Sequence, residues 1–153
     1  MKKKVNQVRD VLVIENELNC SRTGVLCFND KNEFINQFAV PFLYADKNIL
    51  FFYDSADEAF EKIIPDSKVR FVVLKNDKPK KNAEQENQTA YKYLQISCNG
   101  KIKEVEENKL REEYYKQYLN KYGSQITEEN EVETLKLLLI DTEEIQASEV
   151  MGV

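Results

Sequence analysis

Between Thr23 and Leu74 the apolar residues come in short runs, each halted by a cluster of turn formers. That spacing leaves little besides strands joined by tight connections. TGVLCF (23–28) runs into NDKN, EFINQFAVPFLY (33–44) into ADKN, and NILFFY (48–53) into DS. NILFFY has too many consecutive apolar residues for one face to meet water, so both faces are predicted to be covered. Pro41 withholds a ladder donor, which predicts an edge, a bulge or a ligand-facing interruption. In ADEAFEKII (56–64), Ala56, Ala59, Phe60, Ile63 and Ile64 repeat at helical spacing. Asp54 or Ser55 is the predicted cap and Pro65 the stop. A fourth strand, Lys68–Leu74, follows, rich in β-branched residues.

Residues 75–89 carry no hydrophobic pattern and read as a long exposed loop. AYKYLQISC (90–98) alternates as a strand, NGK as a hairpin turn and KIKEV as the return strand. The clearest helix is EENKLREEYYKQYLNKYG (106–123). Leu110, Tyr114, Tyr118 and Tyr122 recur every fourth residue, Tyr115 and Leu119 widen the stripe, and Gly123 stands at the C-cap position. ETLKLLLID closes the sheet and leaves a short tail. At the other end, Val5, Val8, Val11 and Leu12 predict an amphipathic helix over 3–16. Six or seven short strands with flanking helices define an α+β (mainly β) class, closed as a small antiparallel barrel. The 153 residues fit one domain, 1–153, with its core in 17–148.

Composition narrows function. The chain has no histidine, which removes the commonest acid/base near neutral pH, the commonest metal ligand and every Ser-His or Cys-His nucleophile pair. Cys20, Cys27 and Cys98 show no CxxC spacing, so no metal site is predicted; the thiols suit a reducing, cytoplasmic compartment. A net charge of −5 gives no reason to expect a nucleic-acid partner. VLVI near the start is too short for a signal core or a membrane span.

The junction FFYDSADEAF (51–60) raises the one sharp functional question. Amides at a helix start bind phosphate, and Ser55 adds a hydroxyl. Asp57, Glu58 and Glu61, however, already complement the helix dipole and would repel an anion. A capped helix is the simpler reading. The tyrosines read as packing, although Tyr91 and Tyr93 share a strand face able to stack on a planar ligand. The KPKK lysines (78–81) lie among acids and read as solvated.

In element order and apolar rhythm, residues 18–148 resemble the pyridoxamine-phosphate-oxidase-like, FMN-binding split barrel, and within it the haem-utilisation (HugZ-type) branch. Pro41-Phe42 matches that family's Pro-Phe pair, and the strand-to-helix serine falls at Asp54, beside Ser55. The family's Asn-Leu falls at Lys62-Ile63 and its Asn-Pro at Asp66-Ser67. YKYLQISCNGKIKEVEENKLREEYYKQYLNKYG is similar to its long strand, turn, return strand and helix. The resemblance implies a homodimer with FMN in the groove between chains, serving flavin-dependent oxidoreductase chemistry on a small molecule. It also implies phosphate partners at Ser55, Lys62, Arg70 and Lys92, with Val40 and Pro41 lining the flavin edge. The chain departs from the family at Asp57, Glu58 and Ala59, where relatives carry basic or small polar residues. Near 90–92 only Lys92 remains of a basic pair. No residue stands out as catalytic. The alternatives are a flavin-free dimeric binding module, and haem handling through a tyrosine or cysteine ligand.

Overall fold

The computed structural model describes residues 2–77, 91–123 and 135–152. Most of the loop predicted at 75–89 and the KPKK lysines lie outside them. Eight antiparallel strands form one sheet: β1 (Lys3–Val8), β2 (Thr23–Asn29), β3 (Ile35–Pro41), β4 (Leu43–Ala45), β5 (Asn48–Asp54), β6 (Lys68–Asp77), β7 (Tyr91–Val105) and β8 (Leu135–Gly152). Among the described residues two α-helices, α1 (Val11–Cys20) and α2 (Asn108–Tyr122), and a 3-10 turn (Glu58–Lys62) accompany it. The order is β3-β2-β6-β7-β8-β5-β4, with β1 added on β8. This curled, mainly-β sheet is a split barrel, as the sequence predicts.

The sheet curls around one main core to which β2, β3, β5, β6, β7 and β8 all contribute, among them Leu26, Val40, Phe51, Phe71, Ile96 and Ile140. β5 is covered on both faces as expected. Ile49 and Phe51 enter that core, while Leu50 packs on the other side with Leu43, Leu137 and Tyr114 of α2. The tyrosine stripe of α2 is therefore packing, with Tyr114 and Tyr115 buried. Gly123 caps the helix at φ 90°, the left-handed side that favours glycine.

The C-terminal end of α2 grips the chain just after β3. The Tyr122 hydroxyl accepts from the Phe42 amide at 3.0 Å and lies within hydrogen-bonding reach of the Phe42 and Arg22 carbonyls. Lys121 donates to the Phe42 carbonyl at 2.9 Å, its ammonium 4.1 Å from the centre of the Phe42 ring. Burial, and then the Arg22 charge, pushes the Lys121 ammonium down to about 8.

Five elements differ from the sequence expectations. The N-terminal helix starts only at Val11, where Asp10 caps it by accepting from the Leu12 amide at 3.0 Å. Residues 3–8 instead pair with β8, Lys3 opposite Gly152 and Val8 opposite Ala147. The helix presents Ile14 and Leu18 to the core and leaves Val11, Leu12 and Val13 exposed. EFINQFAVPFLY is two strands, broken at Phe42. Asn99-Gly100-Lys101 is not a turn, because β7 runs straight through it. Finally, the predicted tail is the second half of β8, which extends to Gly152. β6 also runs three residues past its predicted end, to Asp77.

A bulge explains how so long a strand keeps facing the core. Asn99 pairs with Glu144 but Gly100 with Thr142, so Glu143 is the extra residue. An inserted residue inverts the alternation of a strand. Leu138 and Ile140 face the main core before the bulge, Ile145 and Ala147 after it.

Candidate functional site

The segment after β5 answers the question raised by its sequence. Asp54 accepts from the Ala56 amide at 2.9 Å through its side chain and from the Asp57 amide at 2.9 Å through its carbonyl. Asp57 then caps the 3-10 turn, accepting from the Ala59 amide at 3.1 Å. The amides of Ala56, Asp57 and Ala59 are thus engaged by the chain's own oxygens. The predicted helix is only one 3-10 turn of five residues, with little dipole to offer. What faces outward are the Ser55 and Lys62 side chains, beside exposed Asp57, Glu58 and Glu61.

Phe60 is the structural centre of this region. Its ring stacks on Tyr53 at 4.5 Å and 17° and meets Phe38 of β3 edge-on at 4.9 Å and Phe51 of β5 at 6.0 Å. β3 ends one side of the strand path, and β5 lies next to the strand that ends the other. A single aromatic side chain therefore spans the opening of the barrel. Sequence periodicity marks Phe60 as helix packing; its bridging role depends on strand order, which periodicity does not encode. Tyr53 and Phe60 also line a cavity of about 480 Å3 with Ile63, Lys103 and Glu104.

The six predicted ligand residues do not form one cluster. Pro41, exposed at the end of edge strand β3 opposite Thr23, is available to a ligand. Val40 is buried in the core, so only its backbone could meet one. Lys62 lies close enough to Asp30 for its charge to contribute to that carboxylate's lowered pKa, after the stronger effect of the Asn36 hydrogen bond and those from the Asn32 and Phe34 amides. Arg70 points outward, donates to Asn99 Oδ1 at 2.9 Å and lines a separate cleft of about 600 Å3 with Lys68, Glu143 and Glu144. Lys92 pairs with Glu149 at 3.7 Å. Because Arg70 sits opposite Asn99, its distance from Lys92 along β7 is about 23 Å at strand rise. Those two cations cannot hold one phosphate within a single chain. Tyr91 and Tyr93 stack on each other, with ring centres 6.1 Å apart, and Tyr91 also covers Gly152.

Among the described residues no group of three or more His, Cys, Asp or Glu could hold a metal ion. No described helix is long and apolar enough to cross a membrane. Burial pushes the Cys98 thiol up to about 12, so it stays protonated and unreactive.

The curled sheet with its outer helix has the split-barrel fold, and solved structures, one of a proposed pyridoxamine 5′-phosphate oxidase among them, share it. A proposed 5-nitroimidazole antibiotic resistance protein from Bacteroides thetaiotaomicron superposes with a TM-score of 0.80 at 12% identity, over 99% of this chain and 90% of that one. A FAD and heme binding protein from Mycobacterium smegmatis matches at TM-score 0.71 and 8% identity, over 92% of this chain and 71% of that one. A proposed pyridoxamine 5′-phosphate oxidase from Corynebacterium glutamicum matches at 0.60 and 15%, over 97% and 95%. At these identities the likeness is one of fold. No protein-family model matches the sequence, and no curated protein matches it.

Proposed function

We propose that this chain binds a flavin, FMN in particular, in a groove formed with a second copy of itself, and serves flavin-dependent redox chemistry in the cytoplasm. The observation carrying this reading is the match of nearly the whole chain to split barrels, one of them a FAD and heme binding protein. The flavin would supply the electron or hydride transfer. Of this chain's residues, exposed Pro41 and the backbone beside it would meet the ring edge. Ser55 would donate its hydroxyl and Lys62 its ammonium to the phosphate. Arg70 and Lys92 lie too far apart to share that phosphate, so at most one of them contributes from either copy. The finer placement in the haem-utilisation branch rests on sequence rhythm alone.

Protein purified in flavin-free buffer, titrated with FMN and FAD and followed by absorbance, tests the proposal. Saturable binding with a perturbed flavin spectrum is expected; a colourless protein that binds neither flavin would refute it.

The second reading, a dimeric binding module without flavin, is favoured by one observation: Asp54 and Asp57 already occupy the amides a phosphate would use. The two readings part at Glu58. If the phosphate lies beside the 3-10 turn, Glu58→Lys replaces repulsion with attraction at an exposed site and tightens FMN binding roughly three- to tenfold. Unchanged or weaker binding removes the phosphate from this turn. Haem handling is separable by a Soret band on haem addition that disappears in Cys20 or tyrosine variants.

A further inference from the structure

Away from the Pro41–Lys62 edge, a cavity of about 500 Å3 opens between β1, the start of α1, β4 and β8. This is the size range of small-molecule sites. Its floor is formed by Val8, Ile14, Ile145 and Ala147, all part of the main core or packed on it. Val11, 62% exposed, forms an apolar lip on the same opening.

The polar groups of the rim have one sign to spare. Arg9 and Lys47 both line the cavity. Among the described residues the Arg9 guanidinium donates to the neutral Gln7 side chain alone, at 3.2 and 3.4 Å. Among the described residues neither cation has a carboxylate within ion-pair distance. The one lining carboxylate, Glu15, accepts from the Tyr44 hydroxyl at 3.2 Å. Burial, and then the Glu15 charge, pushes that hydroxyl up to about 12, so Tyr44 stays a donor committed to Glu15 at neutral pH.

Lys47 is also held in an unfavourable backbone conformation. It and Asp46 are the central residues of the two-residue β4–β5 turn, at φ 63° and 51°. Such a turn favours Asn-Gly, and a lysine in the left-handed region carries steric strain. The strain places a cation on the rim of an apolar cavity.

We propose that this cavity is a second ligand site, taking an organic monoacid with an apolar body. Its carboxylate lies against Arg9 and Lys47, and its hydrocarbon lies on Val8, Ile14, Ile145 and Ala147. Charge-assisted hydrogen bonds to the two cations select the acid, and the apolar floor selects against small polar anions. The site is independent of the flavin reading.

Calorimetric titration of the intact chain with decanoate, and with decanol as the neutral control, tests the proposal. Decanoate is expected to bind saturably and at least about tenfold tighter than decanol. Arg9→Gln weakens decanoate about three- to tenfold. Lys47→Gly weakens it by a similar factor while raising the melting temperature, because glycine relieves the strained turn. A purely structural lysine would give the second effect without the first. Equal affinity for decanol, absence of saturable decanoate binding, or unchanged affinity in both variants overturns the proposal. So does displacement of decanoate by FMN, which would make this cavity the flavin's own. If FMN binds nowhere, the decanoate result still decides.

Discussion

Replacing Phe60 with alanine will lower the melting temperature by about 5–10 °C, a loss of about 2–3 kcal/mol for a chain of this length. A fully buried phenylalanine typically loses about 3–5 kcal/mol on truncation, and Phe60, only half-buried, loses less. Its leverage comes from position. β3 and β5 share no ladder, and the ring of Phe60 contacts Phe38 on one and Phe51 and Tyr53 on the other. Aromatic pairs at such distances contribute beyond the area they bury. Truncation leaves the 3-10 turn without its large apolar anchor and removes the aromatic bridge from β3, whose ladder is with β2 alone. Hydrogen exchange should therefore quicken first in β3 and the Asp57–Ile63 segment, with the β6–β7–β8 centre protected. Phe60→Leu, which keeps most of the apolar volume, should recover about half of the loss. A Phe60→Ala protein melting within about 2 °C of the parent would show that the barrel opening closes without this side chain.

Elements set by local chemistry were readable in the sequence. The apolar run of β5 has no polar face, and the structure buries Ile49, Leu50 and Phe51 in succession. The α2 stripe and its Gly123 cap obey a helical period and a left-handed stop, both properties of a few neighbouring residues. Asp54, one of the two residues expected to cap the segment after β5, does take the Ala56 amide, but the cap of the 3-10 turn is Asp57, which the sequence marks only as an acid facing a helix dipole.

The misreadings came where a local signal served a distant partner. Asn-Gly is the strongest short hairpin signal, yet Gly100 serves the close approach of β8. β1 has hardly any buried face, so its strand character comes from the β8 edge it pairs with, and nothing in residues 3–8 announces that edge. The second half of β8 resumes its apolar alternation out of phase, because Glu143 is inserted; a reader following the first half loses the pattern there. The site inherited these limits. The β6–β7 register that sets Arg70 opposite Asn99, far along the strand from Lys92, is a long-range pairing that neither strand's own residues announce, and the rim formed by Arg9 and Lys47 needs β1 in the sheet before it can be seen.

Gly100→Ala is the sharpest test of that register. Gly100 is buried and its φ is not in the left-handed region, so the demand for glycine here is spatial. A Cβ would lie 2.1 Å from the Asp141 carbonyl oxygen, 2.8 Å from its carbon and 3.0 Å from Thr142 Cα. Those atoms are backbone and cannot swing aside, so β7 and β8 must separate where β8 inverts its alternation. The pairs on either side, Ile102 with Ile140 and Cys98 with Ile145, belong to the main core, and the strain is transmitted into it. A cost of about 3 kcal/mol or more is expected, and a fall in melting temperature of about 10 °C. Gly123→Ala supplies the contrast. An added Cβ there meets nothing within 4 Å, and only the backbone conformation, φ 90° with ψ 153°, opposes it, so about 1–2 kcal/mol is expected. If the two alanine variants melt together, close approach of β8 is not what Gly100 provides, and the continuous β7 loses its physical explanation.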